Sequence, residues 1–418
     1  MRIPTRLHPQ RWLFAALLLG LAIRVPLLIA AQHDGVPGDQ VQYSAQALAN
    51  AQGNWFAQPF DTAKPSAEHP PLTATVLTPV TWASQHGHFL VVQRLVVLAF
   101  GLANIVLLYV LGSRRSRAVG AAAAVIGALD AHLFLGDVLI LSETFGVTLV
   151  LLLLLALDPP ERPPLTTGRL ATAGALLGLL LLTRAELLLL VPLVAVWVWW
   201  SHDARRSWAA VGRAAIPVVV ALVVIAPWVL WNLSRFEART TLSTNDGFTL
   251  LGANCDDTYY GGNIGGYSIN CALAVQGAPG DDASQVSAAQ RSAAVTYARR
   301  HLARTPLVAG ARFVRQWELG FVGRTAGDSP AEGRPQELVL LGTIQWWLLG
   351  VLAWFGLRRS PRRWGTLLAL VPVVVTFAAV TVNAQWRLRA VAEPSIVLFA
   401  ALGAVRSDER EALVHPDR

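Results

Sequence analysis

The chain has 418 residues, of which 54% are hydrophobic and only 14% are charged. So few charges cannot cover the surface of a water-soluble protein of this length, so many apolar residues must face lipid. The net charge of +8 does not indicate a nucleic-acid partner, because the arginines stand in short clusters between apolar runs. Composition therefore excludes a soluble domain and predicts an integral membrane protein.

Several apolar runs approach the roughly 18 to 20 residues that a helix needs to cross a hydrocarbon core about 30 Å thick. We predict an all-α protein with about ten transmembrane helices. In chain order they are residues 12–31, 89–112, 118–136, 140–157, 168–183, 186–200, 214–233, 338–357, 364–382 and 391–405. The first run resembles a signal peptide, but Arg24 and Pro26 interrupt it and favour a retained helix.

The arginine clusters predict the orientation of these helices. The clusters contain Arg2, Arg6 and Arg11; Arg114, Arg115 and Arg117; Arg205, Arg206 and Arg213; and Arg358, Arg359, Arg362 and Arg363. By the positive-inside rule they face the cytoplasm, together with both chain ends. The predicted organisation is an N-terminal transmembrane module (1–233) with a first outer loop (32–88), a large extracytoplasmic loop (234–337), C-terminal helices (338–405) and a cytoplasmic tail (406–418).

Both cysteines of the chain, Cys255 and Cys271, lie in the large loop assigned to the outside. Because an oxidising compartment favours their pairing, we expect a disulfide, with two unpaired thiols as the alternative. Two cysteines with no nearby histidine fall short of the four ligands of a structural zinc site.

The first outer loop contains two candidate site residues. Asp39 precedes a segment with apolar residues at helical spacing, as in an amphipathic helix on the bilayer surface. It is therefore either a helix cap or a functional carboxylate. His69 precedes a rigid Pro-Pro-Leu turn at 70–72. The apolar segment 72–83 contains Pro79 and is short, so we expect a second interfacial helix and not an eleventh span.

The other candidates stand at the outer ends of the predicted spans. Glu143 lies at the lipid–water boundary, where an unpaired carboxylate is unfavourable, so it indicates either a function or a hydrogen bond between helices. Arg184, Arg387 and Arg389 reach the same level of the membrane. They are either functional cations or extend to lipid headgroups. Arg24 is expected to pair with Asp39 or Glu143.

Several short motifs follow one another in an order typical of one class of membrane enzyme. They are Asp39 with Tyr43, Pro-Pro-Leu at 70–72, Ser142-Glu143, Leu-Thr-Arg-Ala-Glu at 182–186, Ala-Pro-Trp at 226–228 and Arg-Leu-Arg-Ala-Val-Ala-Glu-Pro at 387–394. Together they resemble the GT-C glycosyltransferases, most closely glycosyltransferase family 39 and the bacterial aminoarabinose transferases, over residues 11–405. Gln40 departs from the family, since the protein mannosyltransferases carry Glu there, and this argues against protein O-mannosylation.

The resemblance implies an inverting transfer of a hexose or pentose from a polyprenyl-phosphate donor. The acceptor, a glycan, lipid or protein, would lie on the outer face of the bacterial cytoplasmic membrane. Asp39 is the expected base and Glu143 the second candidate, whereas His69, Arg184, Arg387 and Arg389 are expected to bind the donor phosphate. No metal or cofactor is expected, because arginines can neutralise one phosphate and no Asp-x-Asp motif occurs. The alternatives are a transporter or flippase and a non-catalytic protein that binds lipid-linked sugar.

Overall fold

The structure, a computed structural model, describes residues 9–32, 35–158, 165–202 and 207–405. The predicted cluster members Arg2, Arg6, Arg205 and Arg206 and the tail 406–418 lie outside these residues. Within the described ranges the regular structure is helical apart from one antiparallel hairpin, β1 (Ala57–Gln58) and β2 (Asp61–Pro65).

The helices fall into three groups along the chain. The first group is α1 (Pro9–Ala31), α2 (Gln40–Ala51), α3 (Leu72–Ser84), α4 (Phe89–Ser113), α5 (Arg117–Leu129), α6 (Ala131–Gly136), α7 (Glu143–Leu157), α8 (Thr167–Leu181), α9 (Leu190–Trp200) and α10 (Trp208–Arg235). The second is α11 (Asn245–Ala253), α12 (Asp256–Tyr259), α13 (Ile269–Leu273), α14 (Ala283–Arg300), α15 (Thr305–Gln316) and α16 (Val322–Asp328). The third is α17 (Gln336–Arg359), α18 (Arg362–Thr381) and α19 (Glu393–Ala404). Short 3-10 helices span Ala185–Leu187, Gly261–Asn263, Leu302–Arg304, Ser329–Glu332 and Trp386–Ala392.

Five of these helices, α1, α4, α10, α17 and α18, are long and apolar enough to cross a membrane. The apolar helices α5, α7, α8 and α9 are shorter. The chain is therefore an all-α, multi-pass membrane protein, as its composition predicts, whereas the number of ten crossings stays a prediction.

Two predicted spans are not continuous α-helices in the structure. The expected helix 118–136 is divided into α5 and α6, because Asp130 has an extended backbone and its carboxylate accepts a hydrogen bond from the Leu133 amide at 3.1 Å. The expected helix 391–405 starts as the 3-10 helix Trp386–Ala392 and becomes α-helical at Glu393. Segment 72–83 is helical as predicted, in α3. The large loop is mostly helical, and the expected Cys255–Cys271 disulfide within it is confirmed.

The helix α2 forms where it was expected, but its buried side includes four polar residues. Among its buried residues are Gln40, Ser44, Gln46 and Asn50. Val41 and Leu48, on the predicted apolar face, are only partly buried. Ser44 donates to the Gln93 side chain of α4 at 2.7 Å, and Asn50 donates to Thr78 of α3 at 3.3 Å. The side of α2 that packs on the bundle therefore combines these polar residues with Tyr43, Ala47 and Ala49, whose side chains are also buried.

Close packing of α17 against α19 holds α19 next to the bundle. Gly356 and Gly403 stand at this contact, and a Cβ atom on Gly356 would lie 1.8 Å from the Phe399 carbonyl oxygen. Small residues of this kind allow membrane helices to approach closely. This contact positions Glu393 and the 3-10 helix Trp386–Ala392 at one end of α17.

Candidate functional site

The candidate site lies where the start of α2, the turn before α3, the start of α7, the turn after α8 and the 3-10 helix Trp386–Ala392 meet. These segments carry five of the predicted residues: Asp39, His69, Glu143, Arg184 and Arg387. Direct contacts or electrostatic influence connect all five. The sixth, Arg389, lies elsewhere.

The guanidinium of Arg387 stands at the centre of this group, among three carboxylates. Its Nη2 donates to Asp39 Oδ2 at 2.5 Å, and its Nε lies 3.1 Å from Glu332 Oε1. The same Nε donates to Gln385 Oε1 at 3.0 Å, while Nη1 lies 3.9 Å from Glu143 Oε1. With 14% of its side chain exposed, Arg387 is the cation of the site that can still be reached from solvent.

Asp39 occupies the position before the first residue of α2, but its side chain makes no capping hydrogen bond. Its carboxylate, 35% exposed, pairs with Arg387 instead. Burial raises the pKa of Asp39, but the charges of Arg387 and His69, and the hydrogen bond from Arg387, outweigh burial and hold this pKa well below its usual range. The carboxylate is therefore ionised at physiological pH, and it does not cap α2 through its side chain.

Glu143 is the first residue of α7, where the helix dipole favours a negative charge. It is buried, with Oε1 3.6 Å from Arg184 Nη1. Its Oε2 has no hydrogen-bond partner within the described ranges. Buried polar atoms are nearly always satisfied, so this oxygen is a position at which a water or a ligand would bind.

Arg184 is buried and uses most of its guanidinium on neighbouring residues. Nε and Nη2 bind Glu186 Oε1 at 2.8 and 2.6 Å, and Nη1 donates to Ser142 Oγ at 3.2 Å. Only the longer contact to Glu143 connects it to the acidic centre. Arg184 therefore adds positive charge next to Glu143, but its donors are already used and do not form a free pair for a ligand.

His69 stacks on Tyr43 with ring centroids 4.5 Å apart, and its buried Nε2 has no hydrogen-bond partner in the described part of the chain. Burial raises the pKa of the Tyr43 hydroxyl, and the negative charges of Asp39 and Glu143 raise it further. Tyr43 is therefore a neutral hydrogen-bond donor beside two carboxylates, and it fixes the ring of His69.

Gln40, which departs from the acidic pair of the mannosyltransferases, has a structural role here. It is fully buried, and its Nε2 donates to the carbonyls of Pro37 and Glu332, both at 3.3 Å. Its Oε1 accepts from the Ile140 amide at 3.1 Å. A Glu at this position would lose both donated bonds, so Gln40 joins three segments around the site in a way that a carboxylate cannot.

Arg389 lies only two residues beyond Arg387 but projects to a different side, because a 3-10 helix turns by about 120° per residue. Its Nε binds Glu393 Oε1 at 2.6 Å, Nη1 lies 2.8 Å from Glu318 Oε2, and Nη2 lies 3.0 Å from His132 Nδ1. Its guanidinium also covers the Trp346 ring at 3.9 Å. These contacts are those of a buried anchor, and its predicted phosphate contact stays a prediction.

The expected pairing of Arg24 with Asp39 or Glu143 is wrong. Arg24 is fully buried and binds Asp137 Oδ2 at 2.8 Å through Nε and Nη2. Asp137 also accepts from Thr144 at 2.9 Å. Arg24 therefore neutralises a nearby buried carboxylate between helices. Asp137 connects it to Thr144, the residue that follows Glu143.

Two further residues of the site stand outside the motifs that select the other candidates. Glu332 contacts Arg387 from the segment before α17, which contains no motif. Tyr267 follows α12, and burial together with the charge of Asp39 raises the pKa of its hydroxyl, so it lies near the acidic centre. Two other tyrosines of the large loop are placed differently: Tyr259 is a core residue whose hydroxyl donates to Asn254 at 2.8 Å. Tyr260 is partly exposed and lies under Arg304.

No protein-family model matches the sequence, and a comparison with curated proteins finds no match. Among solved structures, the chain is similar to the Archaeoglobus fulgidus oligosaccharyltransferase in the apo form, with a TM-score of 0.53, 12% identity and coverage of 96% of this chain and 50% of that one. It is also similar to the archaeal oligosaccharyltransferase AglB from Archaeoglobus fulgidus in complex with an inhibitory peptide and a dolichol-phosphate, with a TM-score of 0.52, 12% identity and coverage of 94% and 50%. The structure of ArnT from Cupriavidus metallidurans bound to undecaprenyl phosphate gives a TM-score of 0.44 and 14% identity, with coverage of 92% and 77%.

The chain spans about half the length of the oligosaccharyltransferases that it matches. At this identity the likeness concerns the fold. It confirms the GT-C fold that the order of the motifs predicts.

Proposed function

We propose that this chain is a membrane glycosyltransferase that transfers a sugar from a polyprenyl-phosphate donor to an acceptor on the outer face of the membrane. The observation that carries the proposal is the contact between the ionised carboxylate of Asp39 and the guanidinium of Arg387, with Glu143 and Arg184 beside them. A carboxylate and a cation within contact of each other are the two groups that the reaction needs. The fold shared with an oligosaccharyltransferase, one structure of which contains a dolichol-phosphate, supports the same ligand class.

The proposed reaction is a single displacement at the anomeric carbon. The acceptor hydroxyl oxygen forms a bond to C1 as the bond from C1 to the phosphate oxygen breaks, and its electron pair stays on the phosphate. Asp39 takes the proton of the hydroxyl as general base. Arg387 donates to the phosphate, whose negative charge increases as it leaves, and Arg184 adds positive charge nearby. Inversion and independence of metal are parts of this proposal.

The ion pair explains why donor binding would have to precede proton transfer. While Arg387 binds Asp39, the low pKa of Asp39 makes it a weak base. A phosphate that accepts hydrogen bonds from Arg387 shares its positive charge, and the pKa of Asp39 then rises towards its usual range. The donor thus strengthens the base that acts on the acceptor.

The remaining site residues have subsidiary roles in this proposal. The unpartnered Oε2 of Glu143 and Nε2 of His69 are free to bind donor or acceptor hydroxyls or the phosphate. Should Asp39 fail as the base, Glu143 is the second candidate. Arg389 acts by anchoring the 3-10 helix that carries Arg387, through Glu318 and Glu393.

The test is turnover by the purified protein in lipid nanodiscs, with a panel of radiolabelled polyprenyl-phosphate sugars and membrane extract as the acceptor source. Transfer by the wild type, lost in Asp39→Asn, supports the proposal. The matched control is Asp282→Asn, since Asp282 is a true helix cap that accepts from the Ser284 amide at 2.8 Å and Asn caps equally well. Binding without turnover would indicate a lipid-linked-sugar binding protein, and movement of the donor across vesicles without turnover would indicate a flippase.

A further inference from the structure

Arg387 has a carboxylate partner for which the proposed reaction has no use. Glu332 Oε1 lies 3.1 Å from Arg387 Nε, and the other oxygen of Glu332 contacts Arg334 Nη1. The Glu332 side chain is 24% exposed, whereas Arg334 is only 3% exposed. One carboxylate therefore stands between two guanidinium groups, one in the site and one behind it.

Hydrogen bonds and a glycine turn hold the backbone around Glu332 in place. The Glu332 carbonyl accepts from Gln40 at 3.3 Å. Gly333, at a φ of +82° that favours glycine, reverses the chain, and the Arg334 amide donates to the Ser329 carbonyl at 3.2 Å. The guanidinium of Arg334 lies 5.3 Å from the centre of the Trp386 ring. Glu332 thus keeps Arg334 as a fixed second partner when it leaves Arg387.

A phosphate that binds Arg387 must compete with Glu332. The proposed donor is a phosphodiester with one negative charge, whereas the product is a phosphomonoester with nearly two at neutral pH, because its second pKa is about 6. Coulomb repulsion is proportional to charge, so a neighbouring carboxylate opposes the product about twice as strongly as the donor.

We propose that Glu332 determines the preference of the site for the donor phosphodiester over the product phosphomonoester, by competing with both for Arg387 and repelling the monoester more. The inference rests on the proposed function. Glu332 would then promote release of the polyprenyl phosphate product, while Arg334 holds the carboxylate close enough to return to Arg387.

The experiment compares wild type with Glu332→Gln, which keeps the shape of the side chain and removes its charge. Two probes are used in nanodiscs: undecaprenyl phosphate for the product and its methyl diester for the charge of the donor. The dissociation constant of the monoester is expected to fall roughly twofold to fivefold, as for a partly exposed ion pair, and that of the diester by clearly less. The control is Glu337→Gln, an exposed carboxylate at the start of α17, for which no change is expected.

Each result decides between the two proposals. The role of Glu332 would be overturned if both probes bind more tightly by the same factor. It would also be overturned if the monoester binds no more tightly to a variant that unfolds at the wild-type temperature. Both results leave the glycosyltransferase proposal intact. If the wild-type protein binds neither probe, the proposed function itself fails, and the inference fails with it. Tightening that is clearly larger for the monoester than for the diester, and seen only in Glu332→Gln, supports the inference.

Discussion

Replacement of Asp39 by Asn tests a catalytic role of this residue with little effect on the fold. Because the Asp39 side chain makes no capping hydrogen bond, no capping energy is lost with it. The substitution removes one ion pair with Arg387, in which the carboxylate is 35% exposed. For so exposed a pair, we expect the free energy of unfolding to change by only about 0 to 1 kcal/mol.

The effect on turnover should be far larger. Removal of a general base typically lowers the rate by roughly 10² to 10⁴. Donor binding should persist or tighten, because Arg387 loses a competing carboxylate. A fall in kcat without a rise in the dissociation constant for donor is therefore the expected signature of Asp39→Asn.

The pH dependence gives an independent readout of the same residue. Since the pKa of Asp39 is lowered in the free protein, its acid limb in the profile of kcat/KM should lie below the usual value of about 3.9. The acid limb in the profile of kcat should lie at higher pH, because a phosphate bound to Arg387 weakens the influence of its charge on Asp39 and so raises the pKa of Asp39. The lowered pKa also stabilises the fold at pH values above the unfolded pKa, and this contribution is lost as the pH falls through the folded pKa.

Transfer of radiolabel at saturating donor, in nanodiscs, measures kcat for Asp39→Asn and for the control Asp282→Asn. A fully active Asp39→Asn protein would refute the assignment of the base and move it to Glu143, where Glu143→Gln is the corresponding variant. If neither substitution lowers transfer, the glycosyltransferase proposal has no chemical basis in this site.

Three further predictions test the surroundings of the base. Arg387→Gln should weaken binding of undecaprenyl phosphate roughly tenfold to a hundredfold, because charge-assisted hydrogen bonds contribute about 1.5 to 3 kcal/mol, and a change below twofold would contradict its role. Arg389→Gln should lower the free energy of unfolding by about 3 to 5 kcal/mol, because it leaves buried Glu318 without its cation. Thermal unfolding measures this change. A variant of wild-type stability that has lost only phosphate binding would instead support Arg389 as a phosphate ligand. In intact cells an impermeant maleimide should label Cys255 and Cys271 only after reduction, and labelling of a cysteine engineered within 205–213 would overturn the topology.

The sequence by itself determines the class of fold and selects several residues of the candidate site. Long apolar runs separated by arginines specify membrane helices, because lipid requires apolar side chains and internally satisfied backbones. Two cysteines in one polar loop specify the Cys255–Cys271 disulfide. Motifs at the ends of predicted spans select Asp39, Glu143 and Arg387, because helix ends on one side of a membrane lie at one level.

Only the tertiary structure decides which charges meet. Asp39 and Arg387 are 348 residues apart in the chain, and no periodic pattern predicts that pairing. Arg387 and Arg389 are equivalent candidates in the sequence, but the 3-10 helix directs one to the acidic centre and buries the other against Glu318 and Glu393. Hydropathy does not show whether a side chain faces lipid or another helix, so the burial of polar residues on α2 and the position of Glu332 follow from packing alone. Local patterns specify helices and their depth, whereas the partner of each ionised group depends on how the helices pack.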